Sequence, residues 1–386
     1  MLSINNINIK NKRVLIRSDL NVPINNKKIS SDTRILASLP TIKLAIKKKA
    51  IVIIMSHLGR PKENEYNENY SLKYILNYLK KKIKNIKIIL VKKYLNGFNF
   101  KYGNLYILEN VRFNKGEKKN SLLLSKKYAS LCDIFVMDAF GSSHRKQSST
   151  YGVSLFAKIS CAGLLLISEI NTLNKYLNKP KRPMTVILGG SKISTKFNIL
   201  KYLNKISDYI IVGGGIANNF IAIKNKVGNS LYEKKYIEKS KKLLKNNKIL
   251  IPKDVYVGKS ILYNEKSKIK NIKKIKENDI ILDFGIKTIL NIIKIIINSN
   301  TILWNGPIGM FELMNFKNGT KIISKIISLN KCFSIIGGGD TISAISIFSN
   351  KKNFSYISTG GGSFLQLLEG KILPIVKLIN NINFLN

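Results

Sequence analysis

The chain has 386 residues, 45% of them apolar, and sets 66 Lys and Arg against 21 Asp and Glu for a formal net charge of +45. The apolar share supports buried cores and excludes a disordered chain despite the charge, and the length suits two or three domains. No stretch approaches the roughly 18 uncharged apolar residues of a membrane-spanning helix, and Met1–Lys12 alternates Ile with Asn and Lys, so it reads as no signal peptide.

Short apolar, β-rich runs predict strands over Val14–Arg17, Ile51–Ser56, Leu105–Leu108 and Ile134–Met137 in the first half. The second half predicts them over Thr185–Leu188, Tyr209–Val212, Ile249–Ile251, Ile280–Leu282, Thr301–Trp304, Phe333–Ile336 and Tyr356–Ser358. Helical patterns lie between: Ser194–Ile206 places Phe197, Leu200 and Leu203 on one face, and Lys-rich Lys234–Lys248 reads as a solvated helix face. Ala162–Leu177 reads as a helix, punctuated on its C-terminal side by Pro180 and Pro183. Alternating strands and helices predict an α/β chain of two Rossmann-like domains with parallel sheets. The expected division is 1–165 and 181–369, joined by a helix at 166–180 and a hinge that also involves Ser358-Thr359.

The charge is almost all lysine. Seven of the 66 cationic residues are arginine: Arg13, Arg17, Arg34, Arg60, Arg112, Arg145 and Arg182. Nucleic-acid binders concentrate charge on a stripe interleaved with arginines or aromatics. A Lys/Ile/Asn excess spread over the whole chain instead resembles drift toward AT-rich codons. The three cysteines, Cys132, Cys161 and Cys332, show no metal or disulfide spacing and suit a reducing cytoplasm.

The polar residues divide along the chain. Six of the seven arginines and both histidines precede residue 150, whereas 13 of the 25 glycines fall in five clusters after it. In a lysine-rich chain an arginine is informative, because its planar fork binds carboxylate or phosphate bidentately. Arg34, Arg60, Arg112 and Arg145 sit at the ends of apolar runs or in turn-like segments, where open α/β folds bind ligands. The pattern predicts a basic cleft for a small polyanion; the competing reading is ion pairs at a surface or between domains. His57 and His144 each stand just ahead of an arginine, which balances an anion contact against a structural role. Asp19 and Asn21, before Pro23, equally suit a substrate hydroxyl or an Asx turn.

Glycines where strands lead into helices let backbone N–H groups approach phosphates. Gly213–Asn218 reads G-x-G-x-x-N, a failed dinucleotide fingerprint, and Lys253 stands where a Walker motif ending at Gly258-Lys259-Ser260 needs glycine. The richer stretches are Gly189–Lys196, with two lysines beside a phosphate-sized loop, and Gly337–Thr341, which offers a carboxylate for Mg²⁺. The competing reading is tight turns that need glycine for positive φ.

These motifs, in this order, resemble the phosphoglycerate kinase family over essentially the full chain. Arg13–Pro23 is similar to the family's R-V-L-x-R-x-D-x-N-V-P, Ser56–Arg60 to S-H-L-G-R, and Asp138–Arg145 to D-A-F-G-x-x-H-R. Gly189–Lys196 resembles G-G-[AS]-K-[VI]-x-x-K, Trp304–Glu312 resembles W-N-G-P-x-G-x-F-E, and Gly337–Thr341 and Ser358–Gly362 resemble G-G-G-D-T and S-T-G-G-G. Ser143 and Lys146 depart from the alanines usual beside the His-Arg pair. The resemblance implies reversible phosphoryl transfer between ATP and 3-phosphoglycerate, giving ADP and 1,3-bisphosphoglycerate, by a cytoplasmic, monomeric, hinge-bending glycolytic kinase with no membrane or specific nucleic-acid partner.

The resemblance also implies roles. Asp19 and Asn21 contact substrate; Arg60, Arg112 and Arg145, with His57, hold its 3-phosphate; Arg34 lies by the reacting carboxylate and the phosphoryl group. Lys196 binds nucleotide phosphates, and Lys192 follows the transferring group as the second catalytic residue. Asp340 ligates Mg²⁺ and Glu312 contacts the ribose. Gly190, Gly214 and Gly215, with Asn305, Gly338, Gly339 and Thr341, line the nucleotide pocket. Residues from about 370 to 386 pack back on the first domain. The rival readings are a basic nucleic-acid-binding protein and, with a weaker case, an NAD-dependent dehydrogenase, whose fingerprint lacks its last glycine.

Overall fold

The computed structural model describes residues 1–382. The chain divides into two compact units, one of Met1–Thr172 with the segment from Ile372 onward, the other of Leu173–Lys371.

The first unit is built on a six-stranded parallel sheet of β1 (Arg13–Arg17), β4 (Ile51–Met55), β5 (Lys87–Val91), β6 (Asn104–Leu108), β7 (Ile134–Met137) and β8 (Ile159–Ala162). The order is β5-β6-β4-β1-β7-β8, and a small hairpin of β2 (Ile24–Asn25) and β3 (Lys28–Ile29) stands apart. Alternate residues of a strand point to one face. Val14 and Ile16, Val52 and Ile54, Leu105 and Ile107, and Ile134 and Val136 therefore share one core. Ile35, Leu39 and Ile42 of α1 (Thr33–Lys47) and Ile75 and Leu79 of α2 (Lys73–Lys82) pack into that core. The intervening Leu15, Ile53 and Phe135 are also fully buried, as a parallel sheet covered on both faces requires. α3 (Leu122–Ser130) and α4 (Val153–Phe156) pack together, and α13 (Pro374–Ile382) returns against β8 and α4. The expected C-terminal return ran on to residue 386; residues 383–386 lie outside those described. Helix α5 (Leu164–Asn178) spans the division between the units.

The second unit carries its own parallel sheet, β11-β10-β9-β15-β16-β17. Its strands are β9 (Met184–Leu188), β10 (Tyr209–Val212), β11 (Ile249–Leu250), β15 (Thr301–Asn305), β16 (Phe333–Gly337) and β17 (Tyr356–Ile357). Around it run α6 (Phe197–Ile206), α7 (Gly214–Ile221), α8 (Ile237–Leu243), α9 (Ile286–Ile297), α10 (Asn318–Leu329), α11 (Gly339–Phe348) and α12 (Gly361–Leu368).

The eleven expected strands form within a residue or two of their expected bounds, but one belongs elsewhere. Ile280–Phe284 (β14) pairs antiparallel with β12 (Asp254–Gly258), which pairs with β13 (Lys268–Asn271), making a separate three-stranded sheet. A purely parallel reading missed it because Lys and Asn alternate with single apolar residues along β13. The edge strands β5 and β8 were missed too; β8 (Ile-Ser-Cys-Ala) carries small residues that blend into the following helical pattern. The Ser194–Ile206 helix splits into a 3-10 turn, Ile193–Thr195, and α6, in which Leu200 and Leu203 are buried and Phe197 half-buried.

Candidate active site

Parallel strands deliver their carboxyl ends to one edge of a sheet, so the motif loops of each unit collect there. In the first unit β1, β4, β6 and β7 lead into Ser18–Asn21, Ser56–Arg60, Glu109–Arg112 and Asp138–Arg145. Leu20 N donates to Ser56 Oγ at 3.0 Å and Gly59 N to Asn21 Oδ1 at 2.8 Å, which ties the first two loops together. Asn110 Nδ2 donates to Leu58 O at 2.7 Å, and Arg112 Nη1 donates to Gly59 O, which brings in the third.

Within this frame the arginines converge. Arg34, at the start of α1, donates to Asn21 O at 3.0 Å and faces Asp19 at 3.4 Å, a long ion pair with Asp19 buried and Arg34 one-third exposed. Arg145 Nε donates to His144 Nε2 at 3.1 Å. His57 is 5% exposed. Its pKa is driven well below the usual histidine value by burial and then by Arg17, Arg112, Arg145 and Arg34. The imidazole is therefore neutral at physiological pH. Burial, Arg145 and Arg17 pull the Arg112 guanidinium down to about 10, with Glu117 opposing and Arg60 adding to the repulsion. The exposed Arg60 is thus near enough to be felt by Arg112. Several cations share a small volume with few carboxylates, a charge excess that suits a multiply charged anion. The departures leave this intact: Ser143 is buried and donates to Ala139 O at 3.0 Å, while Lys146 is exposed over the Tyr151 ring.

Three residues behind the arginines escaped the sequence reading. Arg17, 1% exposed, donates from Nε to Ser149 Oγ at 3.0 Å, and that hydroxyl donates to Glu117 Oε1 at 2.6 Å. Arg17 met the criterion of an arginine in a lysine-rich chain. Glu117 gave no signal, because it lies in the polar turn Lys115–Asn120. A further carboxylate, Asp138 at the end of β7, accepts from Leu165 N at 2.9 Å and Leu166 N at 3.3 Å at the start of α5. Burial raises it to about 7 against the pull of Thr41 and those amides.

In the second unit β9, β10, β15 and β16 lead into the glycine loops. Gly189, Gly213 and Gly306 are packing glycines. A Cβ would fall 1.7 Å from Pro307 O at Gly189, 2.5 Å from Ile308 Cα at Gly213 and 2.2 Å from Gly189 O at Gly306. At Gly215 it would meet Ser191 O at 2.0 Å, and Gly214, at φ +59°, donates to Ile308 O at 2.9 Å. Gly190 leaves room, with a Cβ 3.8 Å from Lys196 Nζ, and Gly339 has nothing within 4 Å. Close-packed backbone thus frames a smaller set of open glycines: the packing reading holds at Gly189, Gly213 and Gly306, while Gly190 and Gly339 have space beside them.

Lys196 Nζ donates to Gly189 O at 2.6 Å and Asn305 O at 3.0 Å. Burial pulls its pKa down to about 8, with Asp340 working the other way. Asn305 Nδ2 donates to Gly337 O at 2.8 Å, while its buried Oδ1 makes no hydrogen bond. Thr341 Oγ1 accepts from Gly306 N at 2.7 Å, and Gly338, at φ +94°, stands beside Asn305. Lys192 is exposed just ahead of the 193–195 turn, which Glu233 holds by accepting from Ser194 N at 2.7 Å; Glu233 is a further contributor that spacing did not reveal. Glu312 is exposed beyond β15, with no contact to these groups among those described.

The model of the family described as "Phosphoglycerate kinase" matches residues 4–371. The chain belongs to the phosphoglycerate kinase family. The phosphoglycerate kinase of Buchnera aphidicola subsp. Acyrthosiphon pisum (strain 5A) is 58% identical over 380 residues, covering 98% of this chain and 97% of that protein. That of Blochmanniella pennsylvanica is 53% identical over 392 residues, covering 99% and 100%. The solved phosphoglycerate kinase from Coxiella burnetii superposes with a TM-score of 0.92 at 44% identity, covering 98% of this chain and 99% of that one. The Pyrococcus horikoshii OT3 phosphoglycerate kinase structure gives 0.80 at 28% identity, covering 98% of each chain. The two parallel sheets and the full-length family match are those of a phosphotransferase, and nothing in the comparisons supports a dehydrogenase or a nucleic-acid-binding protein.

Proposed function

We propose that this chain binds 3-phosphoglycerate on the arginine cluster of its first unit and Mg–ATP or Mg–ADP on the glycine loops of its second, and transfers the γ-phosphoryl group reversibly to the substrate carboxylate. The observation that carries the assignment is the convergence of Arg17, Arg34, Arg112 and Arg145 on a buried, neutral His57, which leaves a net positive charge for a polyanion to neutralise.

On this reading Arg60, Arg112, Arg145 and His57 hold the 3-phosphate, and Asp19 and Asn21 orient the carbon chain. The long Arg34–Asp19 pair leaves the Arg34 fork available to the reacting carboxylate and the phosphoryl oxygens. No general base is required, because a carboxylate nucleophile with a pKa of about 4 is ionised at neutral pH. What remains is in-line positioning and cancellation of charge on the equatorial oxygens, which fall to Arg34 and Lys192. Lys196 holds nucleotide phosphates; Gly190, Gly214, Gly215, Gly338, Gly339, Asn305 and Thr341 shape the pocket, and Glu312 takes the ribose.

The donor set suits magnesium. Asp340 is an exposed carboxylate in the first turn of α11, and among the described residues no group of three or more His, Cys, Asp or Glu forms a cage. One carboxylate completed by phosphate oxygens and water is how Mg²⁺ is bound at nucleotide sites, where it neutralises phosphate charge. Because the two reactants are assigned to different units, transfer requires hinge-bending closure, which also excludes water from the acyl phosphate. The three cysteines are free thiols, which suits a reducing cytoplasm, and we assign the chain there as a monomer.

Asp340→Asn separates the two sites. The KM for Mg–ATP is expected to rise at least tenfold while 3-phosphoglycerate binding, measured by calorimetry, stays within about twofold. Equal loss of both ligands would place Asp340 in the fold rather than in the nucleotide site.

A further inference from the structure

The His57 ring can take either neutral tautomer, and which one it takes decides what it can offer an anion. Arg17 Nη2 lies 3.0 Å from His57 Nδ1. A guanidinium only donates, so Nδ1 must accept, and the proton of the neutral ring must sit on Nε2. A doubly protonated ring is excluded by the same bond, since Nδ1 would then carry a hydrogen facing a cation.

Arg17 is itself held on its other edges. Nη1 donates to Ser18 O at 2.7 Å, and Nε donates to Ser149 Oγ at 3.0 Å. Ser149 then donates from Oγ to Glu117 Oε1 at 2.6 Å and from its backbone N to Oε2 at 3.1 Å; Tyr128 OH adds a bond to Oε2 at 3.4 Å. Glu117, Ser149 and Arg17 are all buried, so this is a closed chain of donors and acceptors with one sense. Arg112, Arg145 and Arg34 also face His57 electrostatically, and Glu117 and Asp19 face Arg17.

We propose that Glu117, Ser149 and Arg17 form a positioning relay that locks His57 as the neutral Nε2–H tautomer, so that it meets the substrate phosphate as a hydrogen-bond donor. The role of His57 toward phosphate rests on the function proposed above; the tautomer does not. Neutrality also keeps the ring from adding another desolvated cation to the arginines. Without the relay, Arg17 is free to turn from Nδ1 and the ring is free to present a lone pair to an anion, which repels it.

The test is ¹⁵N NMR of ring-labelled histidine in the substrate-free full chain, with the His57 signals identified by their loss in His57→Gln. The relay predicts an unprotonated Nδ1 and a protonated Nε2 throughout the pH range in which free histidine titrates. Ser149→Ala, a small change at a buried hydroxyl, is expected to mix the tautomers and to raise the KM for 3-phosphoglycerate several-fold with kcat within about twofold. Glu117→Gln repeats the test with shape retained. A protonated Nδ1 in the unmodified protein, or an unchanged tautomer and KM in Ser149→Ala, overturns the relay even where turnover is normal. Absence of any 3-phosphoglycerate turnover in the unmodified protein would instead overturn the function on which the phosphate contact rests.

Discussion

Arg34 differs from Arg17 and Arg112 in its exposure. Arg17 and Arg112 are buried, whereas Arg34 is one-third exposed, held by Asn21 O at 3.0 Å and a long pair with Asp19 at 3.4 Å. An exposed fork can shift to charge that develops during transfer, and on the proposed function its contribution is expected in the transition state. Arg34→Ala is expected to lower kcat by about 100-fold or more while the dissociation constant for 3-phosphoglycerate rises far less. A retained kcat with a raised KM alone would assign Arg34 to ground-state binding. At this scale the sequence was most informative where residue type broke the background. Arginine among lysines marked Arg34, Arg60, Arg112 and Arg145, all of which the fold brings to the one cluster. It marked Arg17 equally, but burial behind His57 is a tertiary property, and the Ser149 and Glu117 side chains that anchor Arg17 come from distant segments with ordinary composition.

At the scale of elements, the glycines have two kinds of surroundings, packed and open. Gly306, at φ +102°, lies with its Cα face against Gly189 O, so any side chain is opposed both by conformation and by backbone. Gly339 has open space at the first residue of α11. Gly306→Ala is expected to destabilise the protein by about 2–4 kcal/mol in denaturant unfolding. Gly339→Ala should leave stability unchanged or slightly raised, since alanine favours helix by about 1 kcal/mol, and should weaken Mg–ATP binding several-fold by filling space proposed for phosphate. The reverse pattern would show that the open glycine is structural and the packed one is not. The sequence located all five clusters but not this division, because the difference depends on which loop each glycine meets. The same limit explains β14. Its apolar run was legible, but its partners gave no cue to an antiparallel sheet: β12 offers only the short run Val255–Val257, and β13 intersperses Lys and Asn.

For the whole molecule, the net charge of +45 is chiefly lysine distributed over both units, while the cations proposed for the site are a few arginines and two lysines. A background of this sign is expected to create a field that attracts anionic substrates. Screening shortens from about 30 Å at 0.01 M salt to about 8 Å at 0.15 M. The kcat/KM for 3-phosphoglycerate is therefore expected to fall several-fold over that range, measured by initial rates, with the KM and not kcat carrying the change. A flat profile would reduce the lysines to solubility alone.

The central claim, phosphoryl transfer between ATP and 3-phosphoglycerate, is tested most directly by a coupled assay of ADP formation with the purified full chain. ATP consumption is predicted to require both 3-phosphoglycerate and Mg²⁺ and to run in reverse with 1,3-bisphosphoglycerate and ADP. Folded, magnesium-supplied protein that forms no ADP in response to 3-phosphoglycerate would contradict it.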